Sequence, residues 1–135
     1  MVVFPKAKIN IGLRIMEKRP DGYHNIETFF YPVDVADALE FVVRKDNRKG
    51  DALKVTGIME DSDPEKNLVM KAVKVMRQSF DFPAIRIHLH KTIPAGAGLG
   101  GGSSDAAWML KALNRYFSFG LNSEELHSIA GRIGS

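Results

Sequence analysis

The residues best suited to chemistry in this chain are Pro94-Ala95-Gly96-Ala97-Gly98-Leu99-Gly100-Gly101-Gly102-Ser103-Ser104-Asp105-Ala106-Ala107. Glycines strip side chains from the backbone and admit positive φ, so main-chain N–H groups can close on an anion. A helix beginning near Ser103 would add its unpaired first amides and the positive end of its dipole at the same place. Ser103 and Ser104 bring hydroxyls that can ligate a phosphate or its Mg²⁺, and the same hydroxyls can cap the helix. Ala106 and Ala107 keep the helix start slim enough to pack beneath the loop. A merely flexible glycine linker is rarely flanked by a proline and a capped amphipathic helix. The chemistry indicated is phosphate binding.

Two familiar loop classes fit poorly. A Walker A loop needs Lys before the Ser or Thr, and here Gly102 stands there. Gly96, Gly98 and Gly101 do satisfy G-x-G-x-x-G after a strand, the dinucleotide pattern. That pattern also requires a second parallel strand ending in an acid about 20 residues on. The sequence there, Asn122 to Ile133, reads instead as a helix capped at Ser123-Glu124-Glu125 with a stripe of Leu126, Ile129 and Ile133.

The elements that must hold the loop follow from periodicity. Val2 to Met16 reads as one long strand, or two short ones broken near Lys8 to Gly12. Arg19-Pro20-Asp21-Gly22 supplies a tight turn, and Asn25 to Val33 returns as the second arm of a hairpin. Ala38 to Arg44 and Ala52 to Gly57 are further strands, separated by the polar Lys45 to Asp51 turn. Asp63-Pro64-Glu65 predicts the start of a helix that runs to about Ser79. After Pro83, Ile85, Ile87 and Leu89 alternate with Arg86, His88 and His90 as a strand with one buried face. From Ser103, the stripe Ala107, Leu110, Leu113 and Phe117 predicts the helix that follows the loop.

Composition narrows the class. A chain of 135 residues, 44% hydrophobic and 26% charged, suits one folded domain. A net charge of +3 with no long basic run gives no sign of nucleic-acid binding. The absence of Cys excludes disulfides, thiolate metal sites and Cys nucleophiles. The four His lack metal-site spacing, and His88 and His90 read as surface residues on one strand face. With no apolar stretch of about 18 residues and no signal core, a soluble cytoplasmic protein without a membrane partner is expected.

Two motifs carry a resemblance. Pro94 to Gly100 has the form P-x-x-x-G-L-G, followed by small residues, Ser-Ser and Ala-Ala. This resembles the galactokinase, homoserine kinase, mevalonate kinase and phosphomevalonate kinase superfamily. The extra glycines before Ser103, together with Lys8-Ile9-Asn10-Ile11-Gly12-Leu13 and Lys18-Arg19-Pro20-Asp21-Gly22-Tyr23-His24, resemble the branch acting on 4-diphosphocytidyl-2-C-methyl-D-erythritol. The resemblance implies an α+β N-terminal kinase domain, a mixed or antiparallel sheet packed against helices with the Gly-rich loop between strand and helix. It further implies transfer of the ATP γ-phosphoryl to the substrate's 2-hydroxyl, with Mg²⁺, in the non-mevalonate isoprenoid pathway.

The same resemblance places Lys8 at the reacting hydroxyl as the catalytic residue, Asn10 and His24 against the substrate, and Tyr23 on its cytosine. It puts Asn67 at the adenine and Lys91 beside the nucleotide. Pro94, Gly96, Gly98, Leu99, Gly100, Gly101, Gly102, Ser103 and Ser104 would surround the phosphates, with the two serines also able to ligate Mg²⁺. Read without it, Lys8 is a strand lysine, Tyr23 and His24 finish a turn, Asn67 is a first-turn polar residue and Lys91 a solvated strand end. Asp105 then reads as a favourable charge near a helix N-terminus and Asp21 as a turn residue. Gly131 to Ser135 resembles the segment just ahead of the family's catalytic Asp. Residues 1–135 therefore match an N-terminal ATP-binding domain, apparently truncated, with that Asp and a C-terminal domain absent. The alternatives are a nucleotide-binding module without catalysis, another kinase of the superfamily, and a dinucleotide-dependent oxidoreductase.

Overall fold

Ile85, Ile87, Leu89 and Lys91 all point inward from one strand, and that strand, β6 (Ile85–Lys91), lies in the middle of the main sheet. The computed structural model describes residues 1–46, 49–58 and 63–133. The sheet has the order β1 (Val2–Val3), β4 (Ala38–Val43), β6, β5 (Ala52–Gly57). β4 pairs antiparallel with β6 and β5 pairs parallel with it, so the sheet is mixed and the fold α+β. The helices α1 (Leu68–Arg77) and α2 (Gly101–Phe117) cover its inner face, and α3 (Ser123–Gly131) packs at their side. Leu39 and Phe41 of β4 meet Val69, Val73 and Met76 of α1 and Met109, Leu110 and Leu113 of α2 in one core. Each such side chain contributes about 1.5–3 kcal/mol on leaving water, which is why the apolar stripes and not local propensity fix the helices.

β2 (Lys6–Lys18) and β3 (His24–Ala36) form a separate antiparallel ribbon. One expectation changes here. The N-terminal segment does break, but at Phe4-Pro5 and not between Lys8 and Gly12, because Pro5 lacks an N–H to donate to a ladder. At Gly12 the strand continues through an irregular register, with φ at 65°. The ribbon exposes Ile11, Leu13, Ile15, Phe29 and Tyr31, Phe29 to 80%.

Three helix starts also move. Asp63 closes a turn, accepting from the Glu65 amide at 3.0 Å, and α1 is capped by Asn67, whose Oδ1 accepts from Val69 N at 2.9 Å. Both residue types cap well, and the helix starts at the one that adjoins the buried stripe. α3 is capped by Asn122 in a reciprocal capping box with Glu125, one residue before the expected Ser123. α2 begins at Gly101, two residues before Ser103. α2 is followed by α3 and not by a parallel strand, which removes the frame a dinucleotide site needs. Part of the Lys45 to Asp51 turn and the Gly134-Ser135 end lie outside the described residues. Among the described residues no helix is long and apolar enough to cross a membrane.

Candidate functional site

β6 ends at Lys91, the chain passes through Pro94 to Leu99 as a loop, and α2 opens at its far side. Gly96, Gly98 and Gly100 have φ of 72°, 72° and 69°, a region that side-chain-bearing residues rarely adopt. Gly100 is the N-cap of α2, and a Cβ there would stand 3.1 Å from Lys8 Cε. At Gly101 a Cβ would lie 2.8 Å from Ile93 Cγ2 and 3.2 Å from Lys91 Nζ. Glycine is needed at these two positions because side chains already crowd the backbone from beneath. The first bond of α2 runs from Ser104 N to Gly100 O, so the amides ahead of it are the free donors of a helix start. Loop and helix end thus form a cradle suited to an anion.

Lys8 joins this cradle from β2. Its amide donates to Leu99 O at 2.9 Å, and its ammonium donates to Gly98 O at 2.8 Å and to Asn10 Oδ1. The ammonium also lies 5.3 Å from the centre of the Phe30 ring. Lys8, Gly98, Gly100, Ser103 and Ser104 line one groove of about 1070 Å³, together with Phe30 and Trp108. The strand lysine is therefore brought to the loop, with Asn10 holding its head group.

Asn67 and Lys91 lie on the other side of the loop. They share a cavity of about 100 Å³ with Gly102, Ala95 and Asp105. Lys91 is 6% exposed and bonds to Asp37 Oδ2 and, at 2.8 Å, to Asp105 Oδ2. As a solvated strand end it is a corrected expectation: the alternation Ile85, Ile87, Leu89 carries Lys91 to the inner face. Asp37, fully buried, accepts in addition from Thr92 N at 2.6 Å and Ile93 N at 2.9 Å, which fixes the loop's entry.

One cation shared by two carboxylates divides their behaviour. Burial pushes the Asp105 carboxyl up to about 7; Lys91 opposes this and the charge of Asp37 adds to it. Burial also works to raise Asp37, but the Lys91 bond and the Ile93 and Thr92 amides outweigh it and hold that carboxyl below its usual range. Lys91 is raised, because its bonds to Asp105 and Asp37 exceed the effect of its own burial. Asp105 Oδ1 has no hydrogen-bond partner. Asp105 is thus a member of a buried cluster and not a surface charge at a helix end.

Tyr23 and His24 are not brought to Lys8. Lys8 pairs with Pro32 and Lys18 with His24, which puts the two aromatic residues ten positions further along the ribbon, about 30 Å at strand rise. Asp21 accepts from the Tyr23 amide at Oδ1 and pairs with Arg19 through Oδ2, so the tip is a self-contained turn. His88 and His90 are exposed on the outer sheet face, each 3.0 Å or less from Thr56 Oγ1, and among the described residues no group of three His, Asp or Glu is placed to hold a metal. Sequence reasoning missed Asp37, which no local signal marks; for Lys91 the resemblance pointed beside the nucleotide, while the reading without it put the residue at a solvated strand end although the strand period pointed inward.

Comparison with known proteins bears on this arrangement. The model of the GHMP kinases N terminal domain matches residues 67–135. The chain is 56% identical over its whole length to the 4-diphosphocytidyl-2-C-methyl-D-erythritol kinase of Porphyromonas gingivalis, covering 48% of that protein, and 50% identical to that of Bacteroides fragilis, covering 49%. It therefore spans about half the length of the curated relatives it matches. A crystal structure of 4-(cytidine 5'-diphospho)-2C-methyl-D-erythritol kinase superposes on all of the chain with a TM-score of 0.79 and 33% identity, over 46% of its own length.

Proposed function

This chain belongs to the GHMP kinases, matching their N-terminal domain, and on that premise we propose that it binds ATP on the Gly96 to Ser104 loop as the nucleotide-binding part of a cytoplasmic kinase. The substrate proposed is 4-diphosphocytidyl-2-C-methyl-D-erythritol, the compound named in the relatives, phosphorylated at its 2-hydroxyl in the non-mevalonate isoprenoid pathway. The observation that carries the reading is Lys8, whose ammonium reaches across from another element to Gly98 O, in one groove with Ser103 and Ser104.

The chemistry follows from that placement. The polyphosphate of ATP would lie against the free amides of the loop and of α2, and Mg²⁺, when bound, would offset its negative charge. The donor set suits the ion only in part: Ser103 and Ser104 offer hydroxyls, and the phosphates would supply the charged ligands. The substrate oxygen forms a bond to the γ-phosphorus, the bond from that phosphorus to the β–γ bridging oxygen breaks, ADP leaves, and the hydroxyl proton passes to a base. Lys8 places a positive charge where charge gathers in the transition state. Asn10 aims that charge by its bond to Nζ. Tyr23 and His24 enter the substrate reading from the family likeness alone. Among the described residues no Asp, Glu or His lines the groove, so we propose that this chain supplies the nucleotide and Lys8, and that the base comes from the rest of such a kinase.

Trp108 lines the groove, so its fluorescence reports ligand entry. ATP is expected to bind in preference to NAD, and Lys8→Ala is expected to weaken it. Preference for NAD, or no ATP binding, would sink the nucleotide reading. ATP binding indifferent to Lys8→Ala would favour a module without catalysis. ADP release by this chain that depends on the cytidylyl substrate and is lost in Lys8→Ala would show that the chain alone suffices.

A further inference from the structure

Each end of β6 is gripped by a carboxylate. At its start, Asp51 Oδ1 accepts from Ile85 N at 2.9 Å, and the same side chain pairs with Arg77 of α1. At its end, Asp37 is fully buried and takes both the Thr92 and Ile93 amides on one oxygen, Oδ1, at 2.6 and 2.9 Å. Its other oxygen bonds Lys91, which carries the tie onward to Asp105 in α2. The Asp51 grip closes the sheet onto a helix, whereas the Asp37 grip stands where the chain leaves the sheet for the phosphate loop. Asp37 also fastens a second element there. Its own amide donates to Pro5 O at 2.9 Å, just ahead of the strand that carries Lys8, and Thr92 Oγ1 donates to Ala36 O at 2.6 Å. Lys8 and the loop whose carbonyls it bonds are thus anchored at one residue. From Ile93 the support passes by packing: that side chain is fully buried, and its Cγ2 would stand only 2.8 Å from a Cβ at Gly101. A displaced Ile93 backbone would therefore carry the first turn of α2, and its free amides, with it.

We propose that Asp37 is a positioning residue for the phosphate loop: by fixing the Thr92 and Ile93 amides it holds the α2 amides in the arrangement that receives a polyphosphate. The inference rests on the loop binding phosphate. The physical reason is pre-organisation. A run of glycines has more backbone freedom to lose than any other sequence, and a cradle already held in place spares the ligand that ordering. Attraction cannot be the benefit, since a carboxylate beneath an anion site repels its ligand. What Asp37 contributes to binding is geometric, through an oxygen that two buried amides would otherwise lack.

The test is titration of ATP with excess Mg²⁺, read by Trp108 fluorescence, into the wild-type chain, Asp37→Asn and Asp37→Ala. Both substitutions remove the same charge, and only Asn keeps an oxygen for the Thr92 and Ile93 amides. Asp37→Ala is expected to bind ATP about tenfold more weakly than Asp37→Asn, the effect of one or two backbone groups that must be ordered on binding. Asp51→Asn and Asp51→Ala, made at the far end of β6, differ in the same way and should bind ATP within about twofold of each other. A merely structural role for Asp37 would not separate the two pairs. Equal ATP affinity in Asp37→Asn and Asp37→Ala, or an Asp51 pair that separates as widely, would overturn this inference while leaving the nucleotide reading standing. No ATP binding by the wild type would overturn both. Should Asp37→Ala fail to fold, amide hydrogen exchange on the wild-type chain decides. Thr92 and Ile93 amides as protected before ATP is added as those inside β6 support the inference, and exchange at open-loop rates without ATP refutes it.

Discussion

Replacing Gly100 by alanine places a Cβ at a φ of 69° and 3.1 Å from Lys8 Cε. The left-handed conformation costs an L-residue about 1–2 kcal/mol, of which about 0.4–1 is recovered from the stiffer unfolded chain. The Lys8 side chain must also give way, which endangers its bond to Gly98 O and adds up to about 1 kcal/mol. The sum is a net loss of up to about 2.6 kcal/mol, centred near about 1.3. At about 2.1 cal/mol/K per residue, a chain of this length has an unfolding entropy of about 0.28 kcal/mol/K, so Tm should drop by about 5 °C and by no more than about 9 °C. Gly102→Ala is the control. Its φ is ordinary and its Cβ would meet only Leu68 Cδ1 at 3.5 Å, so it should gain about 0.5–1 kcal/mol of helix propensity and raise Tm by about 2–4 °C. Both are read by calorimetry or circular dichroism. Equal Tm values for the two variants, or a more stable Gly100→Ala, would refute the argument that backbone sign and crowding by Lys8 demand glycine at this cap.

The buried cluster and the Arg77 clamp set the other expectations. Asp37→Ala strands the Thr92 and Ile93 amides and half of the Lys91 pairing, so urea denaturation should show a loss of about 3–5 kcal/mol, whereas Asp34→Ala, which breaks an exposed pair with Lys6, should leave the midpoint unchanged. Asp37 and Asp51 are both held low in the folded state, so the stability they add is present above the unfolded carboxylate value of about 3.9 and is lost as pH falls through their folded values. Urea midpoints below pH 4 should therefore decline less steeply in Asp51→Asn than in wild type, from its lower starting stability. Asp105 acts in the opposite sense: its raised carboxyl costs stability that grows as pH climbs from about 4 to about 7, a decline Asp105→Asn should lack. Arg77→Lys loses a bidentate pair with Asp51 at 2.6 and 2.8 Å, a bond to Phe82 O at 2.7 Å and a stack on the Phe82 ring, and should cost about 1–3 kcal/mol in the same assay.

The central strand, the hairpin and all three helices were legible in the sequence because each rests on a pattern that repeats within a few residues. Boundaries slipped where two residues competed for one role. Asp63 and Asn67 can both cap a helix, and burial of the stripe beginning beside Asn67 chose between them. The strand break fell at Pro5, whose missing N–H interrupts the ladder, where the segment before it pairs with β4 and the segment after it with β3.

The candidate site divides in the same way. Glycines, a following helix and paired serines announce an anion cradle locally, since the chemistry of close backbone approach is written in residue type and spacing. That Lys8 completes it depended on β2 passing the loop 90 residues later in the chain. The buried charge cluster depended on the fold altogether: Asp37 and Lys91 are separated by 54 residues, and neither is marked by its neighbours as half of a pair. The sequence by itself determined that an anion could be held and which strand and helix frame the loop. The tertiary structure alone decided which charges stand beneath it, because the energy of a buried charge is set by whatever the distant chain brings within reach, and local pattern carries no record of that.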